Sequence, residues 1–228
     1  IISFASDLRS LENMIDCGDI NPLAVESLFK YRFIYDPLSI YKNVHKLQPG
    51  HIIKFTDKNI ELRKWYNLNR VVNGDTNKTT IHKKLRNYFD IAVKRRLISD
   101  VDLGVFLSGG LDSSLIVSSL AEQGYSLPCF TMGFEGASDY YEERPQAERL
   151  AKYFGMEHHS FEINEKSILK KIPEILNASD EPFADTSALP FYMLSKEVSS
   201  SVKVVLSGDG GDEVFGGYRK HLGEKWSS

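Results

Sequence analysis

The chain has 228 residues, 42% hydrophobic and 26% charged, which provides for a real core and excludes a disordered or collagen-like polypeptide. Its formal net charge of −3 sets up no global field that would recruit nucleic acid or an anionic membrane. The two cysteines, Cys17 and Cys129, make neither a zinc-binding spacing nor a disulfide framework, no apolar run nears a bilayer span and no signal peptide is visible, so the cytoplasm is the expected location.

From the N-terminus, IISFAS reads as a short strand. Asp7 is placed to cap a helix carrying Leu8, Leu11 and Met14. DCGDINP is a turn into a second helix, with Pro22 in its first turn and its end near Leu28 or Phe29. LQPG (47–50) predicts a turn, and HIIKF and ELRKW alternate as two strands of a hairpin. The polar stretch 67–80 contains Asn-Gly and marks a domain boundary. From 81, Ile81, Leu85, Phe89, Val93 and Leu97 recur every four residues and predict an amphipathic helix. Its Lys83, Lys84, Lys94, Arg95 and Arg96 read as a solvated face, since the acidic total weighs against a nucleic-acid surface.

Beyond that helix, apolar strands at 103–107, 127–134, 157–163 and 202–206 alternate with helical segments. Pro173 predicts a break or kink in the helix over roughly 165–177, and a further helix is expected over 188–199. The fold class expected is α/β, a parallel sheet with helices on both faces. His158 and His159 fall on one strand, so their side chains should point to opposite faces and share no metal. Tyr140 and Tyr141 read as packing aromatics.

Two glycine-rich runs follow strands. SGGLDSS (108–114) joins a buried strand to a helix start, a place suited to phosphate. Gly109 and Gly110 allow close backbone approach, Ser108, Ser113 and Ser114 add hydroxyl donors, and Asp112 adds a carboxylate suited to Mg²⁺. No lysine follows Gly110 as an ordinary P-loop requires. SGDGGDEVFGGY (207–218) again follows an apolar strand. Both loops leave the carboxyl ends of parallel strands, where ligands of open α/β sheets bind. Right-handed crossovers permit the order 3-2-1-4 for these four strands in chain order, which brings the two loops into one pocket. Asp112 and Asp212 are then the metal candidates, one from each loop, because a cation between carboxylates and phosphate reverses the local sign. Asp209 is the candidate for guiding an amine nucleophile.

SGGLDSS matches the pyrophosphate loop of the ATP pyrophosphatases, and together with SGDGGDEVFGGY it resembles the synthetase domain of the glutamine-dependent asparagine synthetases. FASDLRSL and KLQPGH resemble the end of their Ntn-type glutaminase domain, and RKWY the join between domains. The resemblance implies residues 1–72 as the C-terminal part of a glutamine amidotransferase domain and 73–228 as an adenine nucleotide α-hydrolase-like synthetase domain, truncated at its C-terminus. It implies ATP and Mg²⁺, a β-aspartyl adenylate formed with loss of pyrophosphate, and its capture by ammonia from glutamine. Leu107 and Met132 would meet the adenine through backbone groups, Ser207 and Gly208 would join the first loop in lining the nucleotide, and Asp209 would stand at a catalytic acidic position that many members fill with Glu.

The departures shape the remaining expectations. ADTSALP (184–190) stands where the best-known members carry an arginine-containing stretch, so aspartate shares the field with a sugar or peptide carboxylate. Glu181 and Asp185 nearby read equally as substrate contacts or as a capped surface loop. Family glutaminases use an N-terminal cysteine. Here Ile1 stands first, Cys17 is internal and both ends look cut, so no glutaminase activity is expected of this segment alone. Neither Arg219 nor Lys220 matches the lysine that the family supplies against pyrophosphate. A truncated nucleotide-binding paralogue is the non-enzymatic alternative; a tRNA-thiolating enzyme is disfavoured by two scattered cysteines and negative net charge. No nucleic-acid or membrane partner is expected, and a homodimer stays open.

Overall fold

The computed structural model describes residues 2–57, 59–67, 77–136, 142–221 and 223. Most of the expected boundary (68–76), Tyr140, Tyr141 and the end of the chain (224–228) lie outside the described residues. The chain divides into two compact units, residues 1–74 with 171–189, and 75–170 with 190–228. Among the described residues no helix is long and apolar enough to cross a membrane.

In the first unit, α1 (Leu8–Glu12) starts as expected, Asp7 accepting the Ser10 N–H at 2.9 Å. Helix α2 (Pro22–Tyr31) is capped by Asn21, which accepts the Leu23 N–H at 3.1 Å, with Pro22 in the first turn. Strands β1 (His51–Thr56) and β2 (Asn59–Lys64) form the expected antiparallel hairpin, with His51 opposite Lys64 and Thr56 opposite Asn59. The expected strand at IISFAS is not formed over residues 2–6. Phe4 in this segment instead stacks on Phe55, with ring centroids 6.2 Å apart. Met14 falls beyond α1 and is exposed. The small core here is Leu8, Leu11, Cys17 and Val44.

Residues 179–184 are tied into this unit. Asp180 accepts the Leu8 N–H at 3.0 Å. Glu181 accepts the Ile40 N–H at 2.8 Å and pairs with Lys46 at 2.5 Å. The Arg9 guanidinium donates to the Ser179 carbonyl at 2.9 Å, and the Ala184 N–H to the Arg32 carbonyl at 2.8 Å. Glu181 is thus a structural tie. Asp185 caps its own turn, accepting the Ser187 N–H at 2.9 Å, which holds its carboxyl below the usual range.

In the second unit, α3 (Lys78–Arg96) begins three residues before the apolar stripe, with Asn77 accepting the Thr80 N–H at 3.2 Å. There follow β3 (Leu103–Phe106), α4 (Leu111–Glu122), β4 (Cys129–Phe134), α5 (Arg144–Tyr153), β5 (His158–Ile163), α6 (Glu165–Ala178), whose residues from Lys171 on belong to the first unit, α7 (Ala188–Val198), which belongs to the second from Pro190 on, β6 (Val204–Leu206) and α8 (Gly211–Phe215). Pro173 lies inside α6. The four strands form one parallel sheet in the order β5-β4-β3-β6, the expected 3-2-1-4.

Strand alternation splits the core between the two faces. Val105, Leu107, Cys129 and Leu206 pack with Val93 of α3, Ile116, Val117 and Leu120 of α4, and Ala147 and Ala151 of α5. Phe106, Phe130, Phe161 and Val205 turn the other way, toward Leu194 and Val198 of α7. Helices therefore cover both faces. Only the C-terminal half of the α3 stripe is used: Val93 is buried and Phe89 and Leu97 pack on it, but Ile81 and Leu85 are exposed. Asp90 fixes the register of α3 on α4, accepting from Ser119 Oγ at 2.6 Å and from Arg86 Nε at 3.0 Å.

Candidate functional site

The first loop is built from β3 outward. Leu107 is buried, its N–H donating to the Phe130 carbonyl at 2.9 Å and its carbonyl accepting from Thr131 Oγ1 at 2.5 Å. Thr131 Oγ1 also lies 2.9 Å from His158 Nε2. A hydroxyl has one proton, which goes to Leu107, so the network assigns the Nε2–H tautomer to His158. Burial keeps the His158 pKa below its ordinary value, favouring the neutral ring. His159 points the other way and stacks on Phe130 at 5.2 Å, so the two histidines do not converge.

Past Leu107 the backbone turns sharply. Gly109 has φ +80°, and a Cβ there would stand 2.6 Å from Gln146 Cγ of α5. The Gly110 N–H donates to Ser108 Oγ at 3.2 Å, Ser114 Oγ donates to the Gly110 carbonyl at 2.5 Å, and Ser108 Oγ and Ser113 Oγ are 3.1 Å apart. The serines therefore tie the turn together as well as carrying hydroxyls. Gly110 is the N-cap of α4 and supplies no side-chain cap, so the opening N–H groups of this 12-residue helix receive no bond from it. That leaves a donor-rich, positive helix end for an anion.

The second loop is placed by β6, whose Leu206 is opposite Val105 in the ladder. Ser207 Oγ donates to Asp209 Oδ2 at 2.7 Å, and the chain turns through Gly210 at φ +91° into α8. Two glycines of this loop lie against Asp112 of the first. A Cβ at Gly208 would be 3.0 Å from Asp112 Cβ and 3.0 Å from the Ser113 nitrogen. A Cβ at Gly211 would be 2.5–2.9 Å from the three atoms of the Asp112 carboxyl group. The two loops are in contact, and the Asp112 carboxylate sits on the bare Cα of Gly211.

The structure thus brings Ser108, Gly109, Gly110, Asp112, Ser113 and Ser114 into one turn and sets Ser207, Gly208, Asp209 and Asp212 on the loop that touches it. Met132 is partly buried on β4 beside Phe161 of β5. A phosphate entering here would meet N–H donors from α4 and carboxylates from both loops. Among the described residues no three His, Cys, Asp or Glu gather as a metal site. Two carboxylates are nevertheless the donor set that suits Mg²⁺, which takes one or two from a protein and completes its shell with water and substrate phosphate. Asp112 and Asp212 each supply one carboxylate, one from each of the touching loops.

Several supporting residues escaped the sequence analysis. Gln146 packs on Gly109 and, through its Oε1, accepts from Arg149 at 3.0 Å. Arg144 lies across Gly133 of β4, where a side chain would overlap it, and is held by Glu142 and by Glu162 at 2.8 Å. That contact keeps the Glu142 carboxyl below its usual range, whereas burial raises the neighbouring Glu143. Thr131, His158 and Gly211 complete the set. The one sequence signal for Gln146 and Arg144 was their place at the start of a helix following strand 127–134.

The asparagine synthase family model matches residues 84–228, and a glutamine amidotransferase domain model matches residues 1–66. The protein named "Putative asparagine synthetase 2 (glutamine-hydrolyzing)" in Methanocaldococcus jannaschii is 39% identical over 96% of this chain and 43% of its own length. The glutamine-hydrolyzing asparagine synthetase 1 of Bacillus subtilis is 34% identical over 95% of this chain and 34% of its own length. The chain therefore spans less than half of either relative. Among solved structures, an NH3-dependent NAD synthetase from Campylobacter jejuni superposes with a TM-score of 0.38, at 19% identity, over 61% of this chain and 60% of that one. With a family model covering well over half of its residues, including both glycine-rich loops, the chain belongs to the asparagine synthase family.

Proposed function

We propose that the chain forms the nucleotide site of an ATP-dependent, glutamine-hydrolysing amidotransferase, and that its carboxylate substrate is aspartate, converted to asparagine with release of AMP and pyrophosphate. The single observation that carries this reading is the contact of Gly208 and Gly211 with Asp112, which joins the two loops at one edge of the sheet. Family membership and the name shared by the matched relatives support the choice of reaction. Residues 1–72 are proposed as the end of a glutamine amidotransferase domain and 73–228 as the synthetase domain, in line with the two family models.

In this mechanism the opening turn of α4 and the serine hydroxyls of 108, 113 and 114 bind the phosphates. Ser207 and Gly208 line the same pocket, and the backbone around Leu107 and Met132 receives the adenine. Leu107 is held rigid for this by Thr131 and His158. Asp112 and Asp212 would hold Mg²⁺, which when bound offsets phosphate charge and so favours loss of pyrophosphate. Asp209, oriented by Ser207, accepts a hydrogen bond from the incoming ammonia and directs it at the acyl carbon of the adenylate. The first step breaks the P–O bond between the α- and β-phosphates and expels pyrophosphate, and the second breaks the bond from the acyl carbon to the AMP oxygen, with AMP leaving and the attacking ammonia losing a proton; in this reading both occur at the mouth of one turn, so the adenylate has little distance to move.

The test is exchange of labelled pyrophosphate into ATP. Exchange that depends on added aspartate is the expected result. Exchange supported by another carboxylate and not by aspartate would replace the substrate, and none with any carboxylate would overturn adenylation.

A further inference from the structure

Helix α8 is five residues long and stops at Gly216, φ +70°, so the chain doubles back directly after Asp212 and Glu213. Three contacts close this fold-back. The Gly217 N–H donates to the Asp212 carbonyl at 3.1 Å. The Tyr218 hydroxyl donates to Glu213 Oε1 at 2.6 Å. A Cβ on Gly217 would overlap Asp212 Oδ1, so the Asp212 carboxylate rests on the bare backbone of Gly217. Lys220 Nζ lies over the Tyr218 ring, 4.7 Å from its centroid.

These contacts bear on the direction of one carboxylate. Asp212 is half-buried in the first turn of a short helix, where its side chain would otherwise sample more than one rotamer, and a metal-binding group held in one direction loses less entropy on binding. Gly217 removes the rotamers on its side. Gly217 itself is kept in place by its neighbour, since Tyr218 is anchored back to the residue next to Asp212. The loop is thus a closed ring in which Glu213 and Tyr218 form the clasp and Gly217 the seat.

We propose that Tyr218, clasped to Glu213, and Gly217 are positioning residues that aim the Asp212 carboxylate at the metal bound with ATP. This rests on the nucleotide reading given above. The alternative is a clasp that only steadies the end of α8, and binding measurements separate the two. Mn²⁺–ATP affinity is measured by the loss of the free Mn²⁺ magnetic-resonance signal, and affinity for ATP in chelator by calorimetry, for the unaltered chain, Tyr218→Phe, Gly217→Ala and Asp212→Asn.

A positioning role predicts that Tyr218→Phe weakens Mn²⁺–ATP binding about five- to tenfold, a charge-assisted hydrogen bond discounted for its exposure. Gly217→Ala should weaken it at least as much, and both should leave metal-free ATP affinity within about twofold, because the α4 turn that holds the phosphates supplies none of the contacts that close this ring. Circular dichroism verifies that each variant is folded, and either variant suffices. Equal losses with and without metal, or no loss in a folded variant while Asp212→Asn does lose binding, would overturn the positioning role and leave the nucleotide reading standing. Failure of the unaltered chain to bind Mn²⁺–ATP would instead overturn the nucleotide reading, and this inference with it.

Discussion

Gly211→Ala is the sharpest probe of the joined loops. Gly211 opens α8 and its φ is not in the left-handed region, so alanine fits the backbone and gains up to about 1 kcal/mol of helix and chain-entropy preference. The new methyl would stand 2.5–2.9 Å from the Asp112 carboxyl atoms, where ordinary contact begins at 3.4 Å. The carboxyl is the end of a flexible side chain, so it can yield, by about half to nine-tenths of an ångström. The protein should therefore keep its fold, with a urea-unfolding free energy within about 1 kcal/mol of the parent. Its aspartate-dependent pyrophosphate exchange should fall on the order of 10- to 100-fold, the usual cost of displacing a reacting-centre group by that much. A folded variant with unchanged exchange and unchanged Mg²⁺–ATP affinity would refute the claim that Asp112 acts where the loops meet.

Gly109→Ala and Gly124→Ala share a left-handed φ, +80° and +79°, but only the first has neighbours for its methyl, so both should lose about 1–2 kcal/mol to strain and Gly109→Ala measurably more on urea unfolding. Thr131→Val removes a hydroxyl that satisfies the Leu107 carbonyl and His158 in a buried strand, and should cost about 1–3 kcal/mol by the same measurement. Cys129 is raised by burial to about 12, against 9.0 for a free thiol, so the folded state keeps a proton that the unfolded state releases. Its contribution to stability is complete below pH 9 and is lost as pH climbs toward 12, a loss that Cys129→Ser should remove from the pH dependence of unfolding, and a thiol reagent should label Cys129 only after unfolding.

The parallel sheet was legible because each strand is an apolar run bounded by turn residues and followed by a helix-period segment, and because handedness leaves few orders for four such units. The loops were legible because glycine, serine and aspartate at strand ends are rare without a reason. What escaped depends on partners that no local pattern encodes. IISFAS carries strand-forming residues, but residues 2–6 form no strand, since a strand needs a partner backbone alongside in register and local composition does not encode one. Ile81 and Leu85 keep the period of α3 and still stay exposed, since periodicity shows which residues share a face and not how far the neighbouring element extends. Thr131 looks like any β-branched strand residue, and only the register of β4 between β3 and β5 sets its hydroxyl between Leu107 and His158.

The glycines of the two loops also divide into kinds that the motif alone does not distinguish. Gly109 and Gly210 have positive φ and are needed for the path of the chain, whereas Gly208 and Gly211 do not and are needed because Asp112 and Ser113 lie where a side chain would be. Substituting the first kind should be felt mainly as lost stability, substituting Gly211 mainly as lost chemistry. Gly208 should show both effects, because its methyl would meet the Ser113 nitrogen at 3.0 Å and backbone cannot step aside as a carboxyl can. Where the two loops meet, glycines that read as one phosphate-binding signature are, in physical terms, turns at Gly109 and Gly210 and contact surfaces at Gly208 and Gly211, and the contact surfaces are what join the second loop to the first.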